Sequence, residues 1–178
     1  MKQNQLIENM IDQIKEAQIK LGYARESVRL YYPVESLNRL MGTTARDGEE
    51  MKTFLESDPA FWDTVLGKLH FSVHEGRIEI RIPPSGAEYV HKEIPDPKFL
   101  MEIVELFGTH HHLTIEEICG VFARFSESYV CEKMPEGADF DYVLYFPDGR
   151  VDGYYYCIKE EMDHTIYHRF TEADFKAL

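Results

Sequence analysis

Residues 40–51 read LMGTTARDGEEM and residues 106–118 read LFGTHHHLTIEEI. The two stretches align with one single-residue gap. Leu40 falls on Leu106, Gly42 on Gly108 and Thr43 on Thr109, and Glu49, Glu50 and Met51 fall on Glu116, Glu117 and Ile118. Each shared residue has a local task. Glycine supplies a positive φ after a helix, and glutamates in a first turn favour the helix dipole. The pair predicts a helix–connector–helix element used twice.

Further matches follow in the same order. EGRIE at 75–79 lines up with DGRVD at 148–152, and His91-Lys92 lines up with His168-Arg169. Tyr32 and Leu37, Ile94 and Phe99, and Phe170 and Phe175 share the spacing of a hydrophobic staple across a helix start. The sequence therefore predicts an α+β chain of two tandem related units, each helix–helix–(helix)–β-hairpin–β. Unit one is residues 33–94 and unit two residues 95–178. An N-terminal helix and short strand, residues 1–32, precede them.

The elements come from periodicity. Ile7, Met10, Ile11, Ile14, Ala17 and Leu21 form one stripe, predicting a helix over 2–21. Residues 27–32 read as a strand, and Pro33 opens a helix ending near Gly42. Asp47 caps a helix to Ser57. Asp58-Pro59 starts a third. Leu69, Phe71 and Val73, then Glu75-Gly76, then Ile78, Ile80 and Ile82 alternate with polar residues, the pattern of a hairpin. Residues 87–94 read as a strand. Helices are expected over 96–107 and from Thr114 to Arg124, and residues 126–134 fit either class. A second hairpin turns at Asp148-Gly149. A strand over 165–170 and a short helix from TEADFKAL close the chain.

Two resemblances rest on particular segments. The helix opening at Pro33, DGEEMKTFLES, DPAFWDTVLGK and the hairpin FSVHEGRIEIRI make unit one similar to a winged-helix domain. That family implies DNA contact through the third helix. Here that segment carries Asp58 and Asp63 against Lys68 alone. Over IKLGYARESVRLYYPVESLNRLMG and YFPDGRVDGYYYCI the chain resembles an uncharacterised protein family of gut anaerobes, which implies no activity.

Net charge is −13, and from Pro95 onward seven Lys and Arg face seventeen Asp and Glu. Such a surface repels phosphate backbones, so nucleic acid is not an expected partner. Three cysteines with no CxxC argue against a disulfide framework or thiolate zinc site and favour a reducing compartment. No apolar run reaches membrane-spanning length and the start has no apolar signal core, so a cytoplasmic protein without a membrane partner is expected. G-x-S-x-G, P-loop and G-x-G-x-x-G are all missing from the sequence.

His110, His111 and His112 fall in the variable connector of the repeat. Adjacent loop histidines cannot all face one ion, so no metal and no cofactor are expected. His164 and His168, four apart on a strand, share a face, and a structural role is expected for them. Cys157 sits in an apolar strand and is expected to be inert.

The copies differ most on one hairpin face. With a two-residue turn at Asp148-Gly149, the inward set of unit two is Tyr142, Leu144, Phe146, Val151 and Tyr155. The outward set is then Val143, Tyr145, Asp152, Tyr154, Tyr156 and Ile158, where unit one has a polar face. An exposed apolar patch marks a contact surface. Val143, Tyr145, Tyr154, Tyr156 and Ile158 are thus the predicted partner-binding residues, covered by the chain itself, by a protein partner or second copy, or by a small ligand. The functional expectation is a non-enzymatic interaction or assembly module. The alternative is a winged-helix-type transcriptional regulator or a small-ligand-binding regulatory protein.

Overall fold

The computed structural model describes residues 2–178, in two compact units, Met1–Asp96 and Pro97–Leu178. Among the described residues each unit holds its own apolar core and its own antiparallel sheet.

In the first unit α1 (Lys2–Leu21) buries Leu6, Met10 and Ile14, one residue per turn, against α2 (Val34–Met41) and α4 (Pro84–Glu93). β1 (Val28–Pro33) leads directly into α2 (Val34–Met41), which ends at Gly42 with φ 67. The left-handed conformation there needs no Cβ, so glycine stops the helix cheaply. Asp47 caps α3 (Gly48–Ser57) by accepting from the Glu50 amide. β2 (His70–His74) and β3 (Arg77–Ile82) form the hairpin read from the sequence, and α4 (Pro84–Glu93) follows. The sheet order is β1-β3-β2. The first 32 residues therefore belong to this unit, since β1 is hydrogen-bonded to β3. Lys15, only 3% exposed, closes on Asp96 at 2.8 Å.

Two expected elements differ. The third helix from Asp58 is only a 3-10 turn, Pro59–Phe61, held by the Asp58 carboxylate on the Ala60 amide. Residues 87–94, read as a strand, lie in α4. Pro84 occupies a first-turn position, where its missing N–H costs nothing. Ala87 and Val90, three apart, are both buried, a helical spacing. Gly86 lies so close to the Leu66 carbonyl and the Ile82 side chain that any Cβ would collide with them.

In the second unit α5 (Lys98–Thr109) and α6 (Ile115–Phe125) pack together. Thr114 and Glu117 close a reciprocal capping box at the start of α6. β4 (Val130–Lys133), β5 (Tyr142–Tyr145), β6 (Tyr155–Glu160) and β7 (Thr165–Phe170) form a four-stranded meander in sequence order. α7 (Glu172–Phe175) ends the chain. The core centres on Phe99, whose ring meets Phe122, Phe146 and Tyr156 edge-on at 4.8, 5.0 and 5.5 Å.

The aligned segments diverge in structure beyond the shared helix–connector–helix. Gly42 is a left-handed cap, whereas Gly108 lies inside α5. Gly76 sits in a two-residue turn, whereas Gly149 sits in the long connection 146–154. His91 is helical and His168 is in a strand. Of the three staple junctions, those at Tyr32 and Phe170 join a strand to a helix, and that at Ile94 joins two helices.

Candidate functional site

Pleating gives the first sheet two faces. Val28, Leu30 and Tyr32 of β1, Ile78, Ile80 and Ile82 of β3, and Phe71 and Val73 of β2 share the core side. The other side presents three rows. Arg29, Arg81 and His70 stand directly across from one another, then Tyr31, Glu79 and Ser72, then Pro33, Arg77 and His74. All but Glu79 and Pro33 are exposed.

Like charges placed opposite one another destabilise a sheet. The row of Arg29 and Arg81, with His70 beside them, carries that cost in a chain whose net charge is −13. Glu79 is the counter-charge. It is 7% exposed, accepts from the Tyr31 hydroxyl at 3.0 Å and meets Arg81 at 3.4 Å. The Tyr31 hydrogen bond, then Arg29 and Arg81, hold its carboxyl below the usual carboxylate range, against the effect of burial. The carboxylate is thus kept charged and ordered by its neighbours.

Two grooves border β2 and share His70 and Phe71. One, of about 450 Å³, is lined by Ser27, Ser72, Glu79, Arg81 and the pair Pro83-Pro84. The other, of about 530 Å³, is lined by Glu56, Phe61, Trp62, Lys68 and Leu69. Both fall in the size range of ligand clefts. Trp62 is 61% exposed and its indole donates to the Glu56 carbonyl at 2.9 Å, which fixes the ring at the groove wall. The sequence marks the polar face by strict alternation in β2 and β3, yet alternation alone reads as ordinary solvation. What it misses is β1, whose Arg29 and Tyr31 complete the face by pairing across β3.

The residues expected to bind a partner are not brought together. In the second sheet Leu144 pairs with Tyr156 and Tyr142 with Ile158. Tyr156 and Ile158 therefore enter the core with Leu144, at 0% and 1% exposure, and Tyr154 packs against the same core. Val143 and Tyr145 lie on the opposite face. Val143 is itself buried, and Tyr145 stacks on Tyr155 at 4.3 Å, with Phe175 of α7 on the far side of Tyr155 at 4.8 Å. The correction follows from the loop. A two-residue turn at Asp148-Gly149 would set Tyr142 against Tyr155, but the 146–154 connection sets it against Ile158, a shift of three residues that, being odd, exchanges the faces of β6.

A polar cluster ties that loop to the core. The Tyr156 hydroxyl donates to Asp152 at 2.7 Å, the Tyr154 amide donates to the same carboxylate at 2.7 Å, and Arg169 lies over the Tyr154 ring at 4.4 Å. Burial, then the Asp152 charge, push the Tyr156 hydroxyl well above its ordinary value. It stays a neutral donor.

Two thiols, those of Cys131 and Cys157, are held in the protonated form. Burial and the neighbouring Cys119 push Cys131 up to about 12, and burial alone pushes Cys157 up to about 12. His110, His111 and His112 are exposed in the α5–α6 connector, where the Thr165 amide binds the His111 carbonyl. Glu161, Asp163 and His164 form the metal-competent grouping found among the described residues. Both nitrogens of His164 already face carboxylates, Asp163 at 2.7 Å and Glu161 at 2.9 Å, as a protonated imidazole requires. His168 points elsewhere, packing edge-on against Phe140 at 5.5 Å.

The sequence matches, over residues 3–178, a family described as a domain of unknown function with an E. rectale gene description (DUF3877). The chain belongs to this family. Comparison with curated proteins and with solved structures gives no match. The match spans both units, so the DUF3877 region includes the cationic face of the first sheet and the meander of the second. No helix among the described residues of this DUF3877 chain is long and apolar enough to cross a membrane.

Proposed function

We propose that the chain is a non-enzymatic protein-interaction module whose contact surface is the outer face of the first sheet. One observation carries this reading. The exposed row of Arg29 and Arg81, with His70 beside them, runs against the sign of the whole chain, and the single carboxylate Glu79 offsets only part of its charge. Arginine suits such a face, because its planar fork binds carboxylates in pairs and is less strongly hydrated than an ammonium. The tyrosine face expected from the sequence gives way to it because those tyrosines and their neighbours are occupied within the chain.

The test uses the full chain and an Arg29→Glu/Arg81→Glu variant. Proteins captured from extract by the wild type are identified, purified and titrated against both forms at low and high salt. A partner whose affinity falls with charge reversal and with salt supports the reading. Equal binding by both forms, or no protein that binds directly once purified, refutes it.

A second reading, a winged-helix-type regulator, draws on α2, α3 and the β2–β3 hairpin following in order. Against it, α3 carries Glu49, Glu50 and Glu56 with one lysine, Lys52. A gel-shift series at low salt separates the two: salt-sensitive duplex binding supports the regulator, and its failure leaves the protein partner.

A further inference from the structure

The interaction reading above leaves the partner's shape open, and the edge of the first sheet narrows it. β2 is an edge strand in the order β1-β3-β2. Its hairpin turns on Glu75 and Gly76, at φ 50 and φ 76, a two-residue connection with both residues left-handed. Such a turn makes the flanking residues, His74 and Arg77, a hydrogen-bonded pair. Alternation along an antiparallel ladder then directs the N–H and C=O of Phe71 and Val73 away from β3, to the open side.

Exposed edges are normally blunted by lysine, proline or a bulge. β2 reads HFSVH, with none of these, and its five pairs with β3 run without interruption. An added strand would send alternate side chains to opposite faces. The two grooves lie where those side chains would go. On the outer face they would reach Arg81 and His70. On the other side they would reach Phe61 and Trp62.

We propose that the β2 edge receives an extended strand of a partner protein whose side chains alternate between acidic and apolar residues. The acidic set stands beside His70, Ser72 and His74, with Arg81 and Arg77 on the next strand, and the apolar set lies in the Trp62 groove, while Phe71 and Val73 supply the main-chain hydrogen bonds. This is strand addition, in which the backbone supplies affinity and alternate pockets supply specificity. A second copy is the wrong occupant, because its own β2 edge would present His70, Ser72 and His74 on this face and no carboxylate to Arg81.

The chain contains a single tryptophan, Trp62, so its emission reports on the groove directly. The probe is a capped seven-residue peptide alternating aspartate and valine, titrated into the full chain. Three control peptides accompany it: lysine in place of aspartate, the same composition in two blocks, and the alternating peptide with N-methyl groups on every second residue. The expected result is a saturable blue shift of Trp62 emission with slowed amide exchange at Phe71 and Val73. Arg81→Gln is expected to weaken binding by about two- to fivefold, the scale of losing one partly exposed charge pair. N-methylation, which leaves every side chain in place and cannot unfold the protein, is expected to abolish binding.

Equal affinity for the lysine or N-methylated peptide overturns the proposal, as does amide protection confined to residues away from β2. Binding of the block peptide as tight as the alternating one also overturns it, since charge alone would then suffice. If a purified partner responds to Arg29→Glu/Arg81→Glu while the alternating peptide leaves Phe71 and Val73 unprotected, strand addition falls and the interaction face stands. If neither responds, both fall.

Discussion

Leu144 and Tyr156 stand directly opposite each other across β5 and β6, and both side chains are fully buried. That pairing fixes which face of β6 meets α5 and α6. It also decides what substitution at Tyr156 does. Tyr156→Ala removes a ring from the aromatic cluster around Phe99 and should cost about 3–5 kcal/mol, the range for deleting a buried aromatic. Tyr156→Phe keeps the ring but strips Asp152 of a donor, and about 1–3 kcal/mol is expected. Urea unfolding checks both. A tyrosine at an interface between molecules would dissociate on substitution with stability unchanged, and light scattering separates the outcomes.

The Thr114 hydroxyl accepts from the Glu117 amide while the Glu117 carboxylate accepts from the Thr114 amide. Thr114→Ala breaks the first bond and loosens the second. Helix-cap losses of this kind cost about 1 kcal/mol. Asp47→Ala at the start of α3 should cost a similar amount. Both are read as shifts of the urea midpoint with an unchanged slope.

Gly86→Ala drives a methyl group into the Leu66 carbonyl and the Ile82 side chain. The carbonyl is backbone and cannot turn aside. Overpacking of this sort costs about 1–3 kcal/mol. Gly120→Ala is the control, because a Cβ there meets open space. Thermal unfolding followed by circular dichroism should show a lowered midpoint for the first and a slightly raised one for the second, where alanine is the better helix former inside α6.

His164 should titrate above the ordinary histidine value. The hydrogen bond that its ring donates to Asp163 raises its pKa most, burial opposes, and the charges of Asp163 and Glu161 add to the rise. A raised folded value means its contribution to stability is complete below the ordinary value, near 6.5, and is lost as pH climbs through the higher folded one. Asp163 behaves oppositely. His164 depresses its pKa, so its share is present above 3.8 and disappears as pH falls through the lowered value. Proton NMR of the His164 ring tests this, and Asp163→Asn should return the midpoint toward 6.5.

Where one face is wet and the other dry, the sequence is legible. The β2–β3 hairpin is read correctly because polar and apolar residues alternate without exception. Asp47, Thr114 and Thr171 announce helix starts because a short oxygen-bearing side chain has few other uses there. β6 defeats the same method. Tyr154, Tyr155, Tyr156, Cys157 and Ile158 are all compatible with burial, so a period of two gives no phase. Only the pairing with β5, set by the 146–154 loop, supplies it. The α4 segment fails for another reason. Tyr89, Val90 and Ile94 favour strands by intrinsic preference, but Pro83-Pro84 starts a helix and the packing at Gly86 completes it. The candidate site was half visible. Its β2 and β3 residues are evident from alternation, while Arg29 and Tyr31 join them only through a pairing made across some fifty residues of chain.

Lys15 grips Asp96, the last residue of the first unit, from a side chain almost wholly out of water. The opening helix thereby acts as a latch on the point where the chain departs that unit. Peeling α1 away would release the Asp96 carboxylate at the same moment, so loss of the first helix and loss of that anchor are a single event.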